Sequence, residues 1–419
     1  MPIQQITTGI IADGAVVATD IANGTVTGPK LGANSVSSNN IVSVLGSAIT
    51  ANTIANSAIQ TGAVENYLRA NALDFGMRNR IINGAMRIDQ RNAGASATPS
   101  NGQYTLDRWQ QQMSASAKFS VQRDSSANTV AGFTSSLKVT SLSAYSVSST
   151  DYFDITQNIE GFNVADLGWG TANARPVTLS FWVRSSLTGT FGGSLMNNDY
   201  NRSNPYTYTI SAADTWEYKT VTVAGDVTGT WLKTNGTGMQ VNFSLGAGAT
   251  RSGTAGTWAG SQLWSATGAT SVVGTNGATW YITGVQLEEG SVPTPFEYRQ
   301  YGTELALCQR YYFKTKPAAY SSISSGGYNS STTVFQGFLQ FPVTMRIAPT
   351  ALEQSGTAGH YEVVNQNGAT ACSSVPSYVD ATDILTRTQF TVSSGLTGGY
   401  SGTARTNNAA GFLAWSAEL

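Results

Sequence analysis

Charge is what this sequence has least of. Lys and Arg number 23 and Asp and Glu 24 in 419 residues, 11% of the chain, against about 25% in an ordinary soluble domain. The two signs nearly cancel, so there is no electrostatic footprint for a nucleic acid and no polybasic run for a membrane surface. No stretch approaches the ~18 apolar residues of a helical span, which excludes that kind of membrane insertion. The first lysine is Lys30, so the charged start of a secretory signal is missing and synthesis in a cytoplasm is expected. Cys308 and Cys372 are too few to staple a chain this long and read as reduced, buried thiols. The single histidine, His360, cannot build a zinc site without a second imidazole or clustered thiolates. No nucleophile elbow, P-loop or dinucleotide fingerprint accompanies it, and no cofactor is expected.

What is abundant is glycine, at 44 positions, in company with Ser, Thr, Asn and Gln. Within that polar background a branched or leucine side chain returns every fifth residue: Ile6, Ile11, Val16, Ile21, Val26, Leu31, Val36, Ile41, then after a slip Ile49, Ile54, Ile59 and Val64. Five fits neither a strand, where such residues alternate faces, nor a helix, where they drift around the barrel. The chain must reset direction once per unit, at Asp13-Gly14, Asn23-Gly24 and Pro29. One anchor in five cannot fill a core within one chain, so rows of anchors from several chains meeting on one axis are expected. A single-chain solenoid would put Pro29, Asn34 and Asn39 inside its dry prism, where an unpaired amide costs roughly 1–3 kcal/mol. An arm that orders on docking is the other alternative.

The pattern then changes. Val64, Tyr67, Leu68, Ala72 and Leu73, with Glu65 early, have near-helical spacing and predict a short collar. From Phe75 to Arg299 the chain alternates as strands do. Val177, Leu179, Phe181 and Val183 share one face, with Trp182 on the other; Val285 and Leu287 oppose Gln286 and Glu288. Asn-Gly pairs at 83–84, 101–102, 235–236 and 276–277 mark turns. Beyond Tyr301, a helix over Thr303–Tyr312 with Thr303 as N-cap precedes short strands at Val334–Phe341, Ile347, Glu362–Asn365, Gln389–Val392 and Gly411–Trp415, with loops at Ser321–Asn329 and Ser393–Ser401. The expected architecture is mainly β and elongated: an intertwined fibrous shaft (1–62), a helical collar (63–74), a β-jelly roll (75–299) and a C-terminal β-sandwich (300–419).

Arg78-Asn-Arg-Ile-Ile-Asn-Gly-Ala-Met-Arg-Ile-Asp-Gln-Arg91 followed by Tyr104-Thr-Leu-Asp-Arg-Trp109 resembles bacteriophage tail-fibre proteins. Ile282-Thr-Gly-Val-Gln-Leu-Glu-Glu-Gly290 with Pro293-Thr-Pro-Phe-Glu-Tyr-Arg299 is similar to the closing strand of carbohydrate-module-like jelly rolls in such fibres. The ending Ala414-Trp-Ser-Ala-Glu-Leu419, the Glu304–Tyr312 helix and the shaft repeat fit the same group. The resemblance implies a homotrimeric virion appendage. Its N-terminal arm would dock on a tail adaptor or portal-proximal protein, and its distal end would bind a host glycan or outer-membrane receptor. It brings no catalytic motif. A polysaccharide-depolymerising tail enzyme and a purely structural head or tail fibre are the alternatives.

The residues bear on those alternatives. A glycosidase needs two carboxyl groups about 5–9.5 Å apart in a cleft; Glu288 and Glu289, adjacent on a strand, point opposite ways, which leaves Asp151 and Asp154 beside aromatics. Asp89, Asp107 and Glu288 are candidate oxygen ligands for a structural calcium ion. Sugar recognition needs flat rings exposed beside amides. Trp258 and Trp264 lie in a Gly/Ser/Thr segment, and Tyr320, Tyr328, Tyr378 and Tyr400 in Ser/Gly loops of the last unit, which makes these six the candidate glycan contacts.

Overall fold

In Val177–Ser185 the alternating positions Val177, Leu179, Phe181 and Val183 are all buried, as their spacing predicts. The neighbouring strand Thr279–Glu289 changes phase midway: Trp280 and Ile282 face the core, then Val285 and Leu287 do. The cause is a bulge between Thr283 and Gln286 around Gly284, whose φ of 61° suits glycine and where a Cβ would strike the Phe133 ring. An extra residue in one strand re-aims every side chain after it. This computed structural model describes residues 77–126, 130–315 and 318–419. The shaft anchors from Ile6 to Val64 and the collar 63–74 lie outside the described residues.

Two antiparallel sheets form the first sandwich. One runs β1 (Tyr104–Leu106), β2 (Trp109–Met113), β5 (Tyr152–Glu160), β10 (Thr237–Ala247), β7 (Gly189–Met196) and β8 (Ser203–Ile210). The other runs β3 (Phe119–Asp124), β4 (Ser136–Ser141), β13 (Thr279–Glu289), β6 (Val177–Ser185) and β9 (Glu217–Val223). A short parallel pair, β11 (Ser252–Gly253) and β12 (Ser265–Ala266), lies between β10 and β13 in the chain, and successive strands cross repeatedly from sheet to sheet, as in a jelly roll. Phe243 is the hub of the core, touching Trp109, Phe181, Tyr206 and Trp280. The Asn-Gly pairs close no two-residue hairpins here; 235–236 and 276–277 lie in loops entering β10 and β13.

The chain then enters α1 (Tyr301–Gln309), two residues earlier than expected and without a side-chain cap. Arg299 anchors the approach instead by donating to the carbonyls of Asn79 and Ile81, so tertiary contacts replace the Thr303 cap. The second sandwich packs a three-stranded sheet, β14 (Tyr312–Lys314), β23 (Leu413–Ser416) and β17 (Glu353–Gln354), against a seven-stranded one. The latter runs β19 (Gly368–Ala371), β18 (Tyr361–Asn365), β22 (Ser401–Thr406), β15 (Gly326–Asn329), β16 (Val334–Gln340), β21 (Leu385–Thr391) and β20 (Ser377–Ala381). Phe335, Phe341, Phe390 and Trp415 fill the space between them. Three expectations are corrected. Tyr328 lies on a strand because Gly326–Asn329 inserts between β22 and β16. Tyr378 likewise lies on β20 rather than in a loop. Ile347 forms no strand and is exposed.

The two sandwiches meet in a polar seam. Glu160 accepts from Arg310 Nε and Nη2 (3.0 and 2.7 Å) and from the Tyr311 hydroxyl (2.6 Å). Arg108 lies over the Tyr311 ring at 3.6 Å and pairs with Glu418, which also pairs with Arg91 at 3.1 Å. Cys308 is buried in a small cluster at this seam, and Cys372 lies within the second core; both are free thiols.

Candidate functional site

Seven strands with one face on a core leave the opposite face to solvent, and alternation fixes what it displays. On the outward side of the seven-stranded sheet, Tyr328 of β15 stands opposite Gln336 of β16 on one flank and Ser401 of β22 on the other. Its ring, 41% exposed, stacks on Phe338 at 6.4 Å. The Gln336 amide donates to Gln389 across the β16–β21 pair at 3.2 Å, and its own Oε1 is buried without a partner. Tyr400, 53% exposed, precedes Ser401 at the edge of an open groove. That groove is lined by Ser325, Asn365, Gln366, Ser401 and Thr403, with Gly326 and Gly402 in its floor. Both glycines are needed there: Gly326 has φ 145°, and a Cβ on Gly402 would press on the Val364 carbonyl. Asn365 uses its oxygen to cap Asn367, leaving its buried Nδ2 unpartnered.

The outward face therefore presents the Tyr328 ring beside the Gln336–Gln389 amide pair and the side chains of Ser401 and Thr403, with Tyr400 at the end of the groove. A ligand rich in hydroxyl groups, each both donor and acceptor, would bond to the hydroxyls that line the groove while its apolar edges lie on the rings. Nearby charges are already paired, Arg387 with Asp380 and Arg405 with Glu362, so the surface suits a neutral ligand.

The other aromatic candidates are placed differently. Tyr320 is exposed on a turn, with the Arg405 guanidinium 5.1 Å from its ring centre. Tyr378 donates its hydroxyl to the Pro349 carbonyl at 2.9 Å. Trp258 is half-buried against Trp169 and Trp231 and donates to the Ala224 carbonyl. Trp264 is enclosed, stacked on Tyr152 at 4.7 Å. Sequence reading missed Gln336, Gln389, Asn365 and Gln366. Strand alternation marks Gln336 and Gln389 as outward once β16 and β21 are paired, whereas Asn365 and Gln366 depend on where β18 ends.

The calcium candidates turn out to be caps and struts. Asp89 accepts from the backbone of Asn92 and Gly94, Asp107 from the Gln90 backbone and side chain, and Glu288 from Thr294 and Gln286. Burial pushes the Asp107 carboxyl up to about 6, with Arg91 pulling the other way. Among the described residues no three His, Cys, Asp or Glu side chains gather as a metal cluster. His360 sits in a turn with Nδ1 2.8 Å from the Ser355 hydroxyl, which also meets the Tyr361 hydroxyl.

Asp151 and Asp154 part company. Asp151 accepts from Ser114, Tyr145 and the Ser148 backbone, and these bonds outweigh burial and lower its pKa. Asp154 is fully buried on the outward side of β5, and neither carboxylate oxygen has a hydrogen-bond partner. Burial drives its pKa well above the usual carboxylate range. The Ser244 hydroxyl, opposite on β10, offsets this in part without completing a bond. The folded state thus keeps a proton that the unfolded chain releases near pH 4, so stability falls as pH rises from there toward the raised folded value. Asp154→Asn is expected to raise the melting temperature near pH 7, with the gain shrinking toward pH 4, as calorimetry at both pH values would register.

Comparison with solved structures gives partial likenesses at low identity. The enzymatically active domain of bacteriophage CBA120 tailspike protein 4 is 12% identical, with a TM-score of 0.28 over 51% of this chain and 21% of that one. A CBM4 structure is 14% identical, with a TM-score of 0.27 over 50% of this chain and 98% of that one. TmCBM61, solved with β-1,4-galactotriose, is 9% identical, with a TM-score of 0.26 over 51% of this chain and 99% of that one. The chain spans about a fifth of the tailspike chain and nearly the whole of each module. No family model and no curated protein matches it.

Proposed function

We propose that this chain is a bacteriophage tail-fibre protein that attaches the particle to a host-surface glycan without cleaving it. The observation that carries the reading is the outward face of the seven-stranded sheet. There Tyr328 is exposed beside the Gln336–Gln389 amide pair, and Tyr400 is exposed at the end of the Ser/Thr-lined groove. Rings and amides in that combination suit the two surfaces of a sugar, and the paired charges around them select against an ionic ligand. In this reading residues 1–62 serve as the shaft of a homotrimer whose start docks on a tail adaptor, and the second sandwich is the distal, receptor-facing end. Three modest sites per fibre, and several fibres per particle, supply avidity without a strong single site.

Tyr328→Ala/Tyr400→Ala tests it. Two ring contacts at about 1 kcal/mol each predict roughly 30-fold weaker glycan binding per site. Adsorption of particles to host cells should fall in step, while fibre assembly and incorporation stay normal. Unchanged adsorption would remove the site from this face. Lost incorporation would reverse the polarity assigned to the chain. Release of reducing ends from host polysaccharide by the purified protein would replace the binding reading with a depolymerising enzyme.

A further inference from the structure

The second sheet of the jelly roll carries an aromatic groove on the face turned away from the core. Trp182 of β6 lies against Tyr218 of β9 at 5.3 Å. Across from them Phe133, Phe296 and Tyr298 form a ring triangle with centroids 5.0 to 5.5 Å apart. Ala131, Pro295, Gly284 and Ser180 complete the lining. Tyr218 and Tyr298 are largely open to solvent, at 43% and 60% exposure. Contiguous apolar surface of this kind marks a contact site. Among the described residues no amide lines it to orient a sugar, and its hydrogen-bonding side chains are Ser180, the Trp182 indole and the two tyrosine hydroxyls. A protein surface is therefore the better fit.

The segment from Met77 to Asn79 bears on which protein. Met77 is exposed, and the next residues run along the groove's rim: Arg78 donates to the Pro295 carbonyl at 2.9 Å, and the Asn79 backbone donates to Glu297 at 2.6 Å. The five-residue repeat of the sequence ends at Val64, thirteen residues before Met77. In the reading proposed above, on which this inference rests, that repeat joins several copies; the groove then lies a short stretch of chain from the shared segment in each copy. Val292 and Tyr301, both exposed, lie three residues before Pro295 and three after Tyr298 in the chain. We infer that the groove of Phe133, Trp182, Tyr218, Phe296 and Tyr298 is a contact surface for a second copy of this chain.

Hydroxyl-radical footprinting of the full-length chain, with its mass in solution measured in parallel, tests the inference. Tyr320, at 61% exposure and on the other sandwich, is the internal reference. The chain should be oligomeric, with Tyr218 and Tyr298 oxidised several-fold more slowly than Tyr320. Tyr218→Glu, on an exposed edge-strand position, should restore Tyr298 to the reference rate while Tyr320 is unaffected. Oxidation of both tyrosines at the Tyr320 rate in the unaltered chain would overturn the inference. So would protection in a chain that is monomeric by mass, since its own residues would then cover the groove. Tyr298 still protected in a correctly folded Tyr218→Glu oligomer would overturn it as well.

Discussion

Phe181→Ala is expected to lower the unfolding free energy of the chain by about 3–5 kcal/mol, the usual cost of emptying an aromatic site in a rigid core. Phe181 has no solvent exposure, and its ring meets Tyr208 at 5.0 Å and Phe243 at 5.1 Å, both edge to face. Tyr208 cannot follow the retreating surface, because its hydroxyl is tied to Trp280 Nε1 at 3.1 Å. Phe243 is held by Trp109 and Trp280. The cavity therefore stays open, which puts the loss toward the upper end of the range. Urea unfolding followed by tryptophan fluorescence reads it directly. A change below about 1 kcal/mol would mean that Phe181 faces away from the sheet-to-sheet core.

The second large effect belongs to the seam. Glu418→Ala removes the partner of Arg108, whose side chain is 1% exposed, and one partner of Arg91. A buried guanidinium left without its counter-charge costs about 3–5 kcal/mol, more than the intact pair contributes. Arg108 retains the Asn158 carbonyl and the Tyr311 ring, but neither supplies a full negative charge. Glu418→Gln, which keeps an acceptor, should lose less. Because Glu418 belongs to the end of the second sandwich and Arg108 to the first, the loss should also weaken their coupling. Calorimetry is expected to show one transition broadening or splitting into two, which an exposed ion pair of the same geometry would not produce.

Particular elements explain what could be read beforehand. Alternation in Val177–Ser185 placed Phe181 in the core and Trp182 outside it, because a strand has only two faces. The same rule applied to Thr279–Glu289 gave the orientation of Val285 and Leu287. The rule does not reveal that Trp280 and Ile282 share their face; the bulge at Gly284 does that. The helix after Tyr301 was legible from its composition, but its first turn was set by Arg299 gripping Asn79 and Ile81, residues more than two hundred positions away in sequence. At the candidate site, Tyr400 was marked by its Ser/Gly surroundings. Tyr328 was marked for the same reason but stands on a strand, and its amide neighbours come from β16 and β21.

By itself, then, the sequence determined the β class, the inward residues of the regular strands, the sparse charge and the absence of cofactor motifs, since each follows from local period or composition. Only the tertiary structure decided which polar atoms end without partners. Asp154, Gln336 and Asn365 look no different in sequence from other aspartates and amides. Their unpaired state depends on which strands flank them and what packs above, and therefore on contacts between segments that no local pattern encodes.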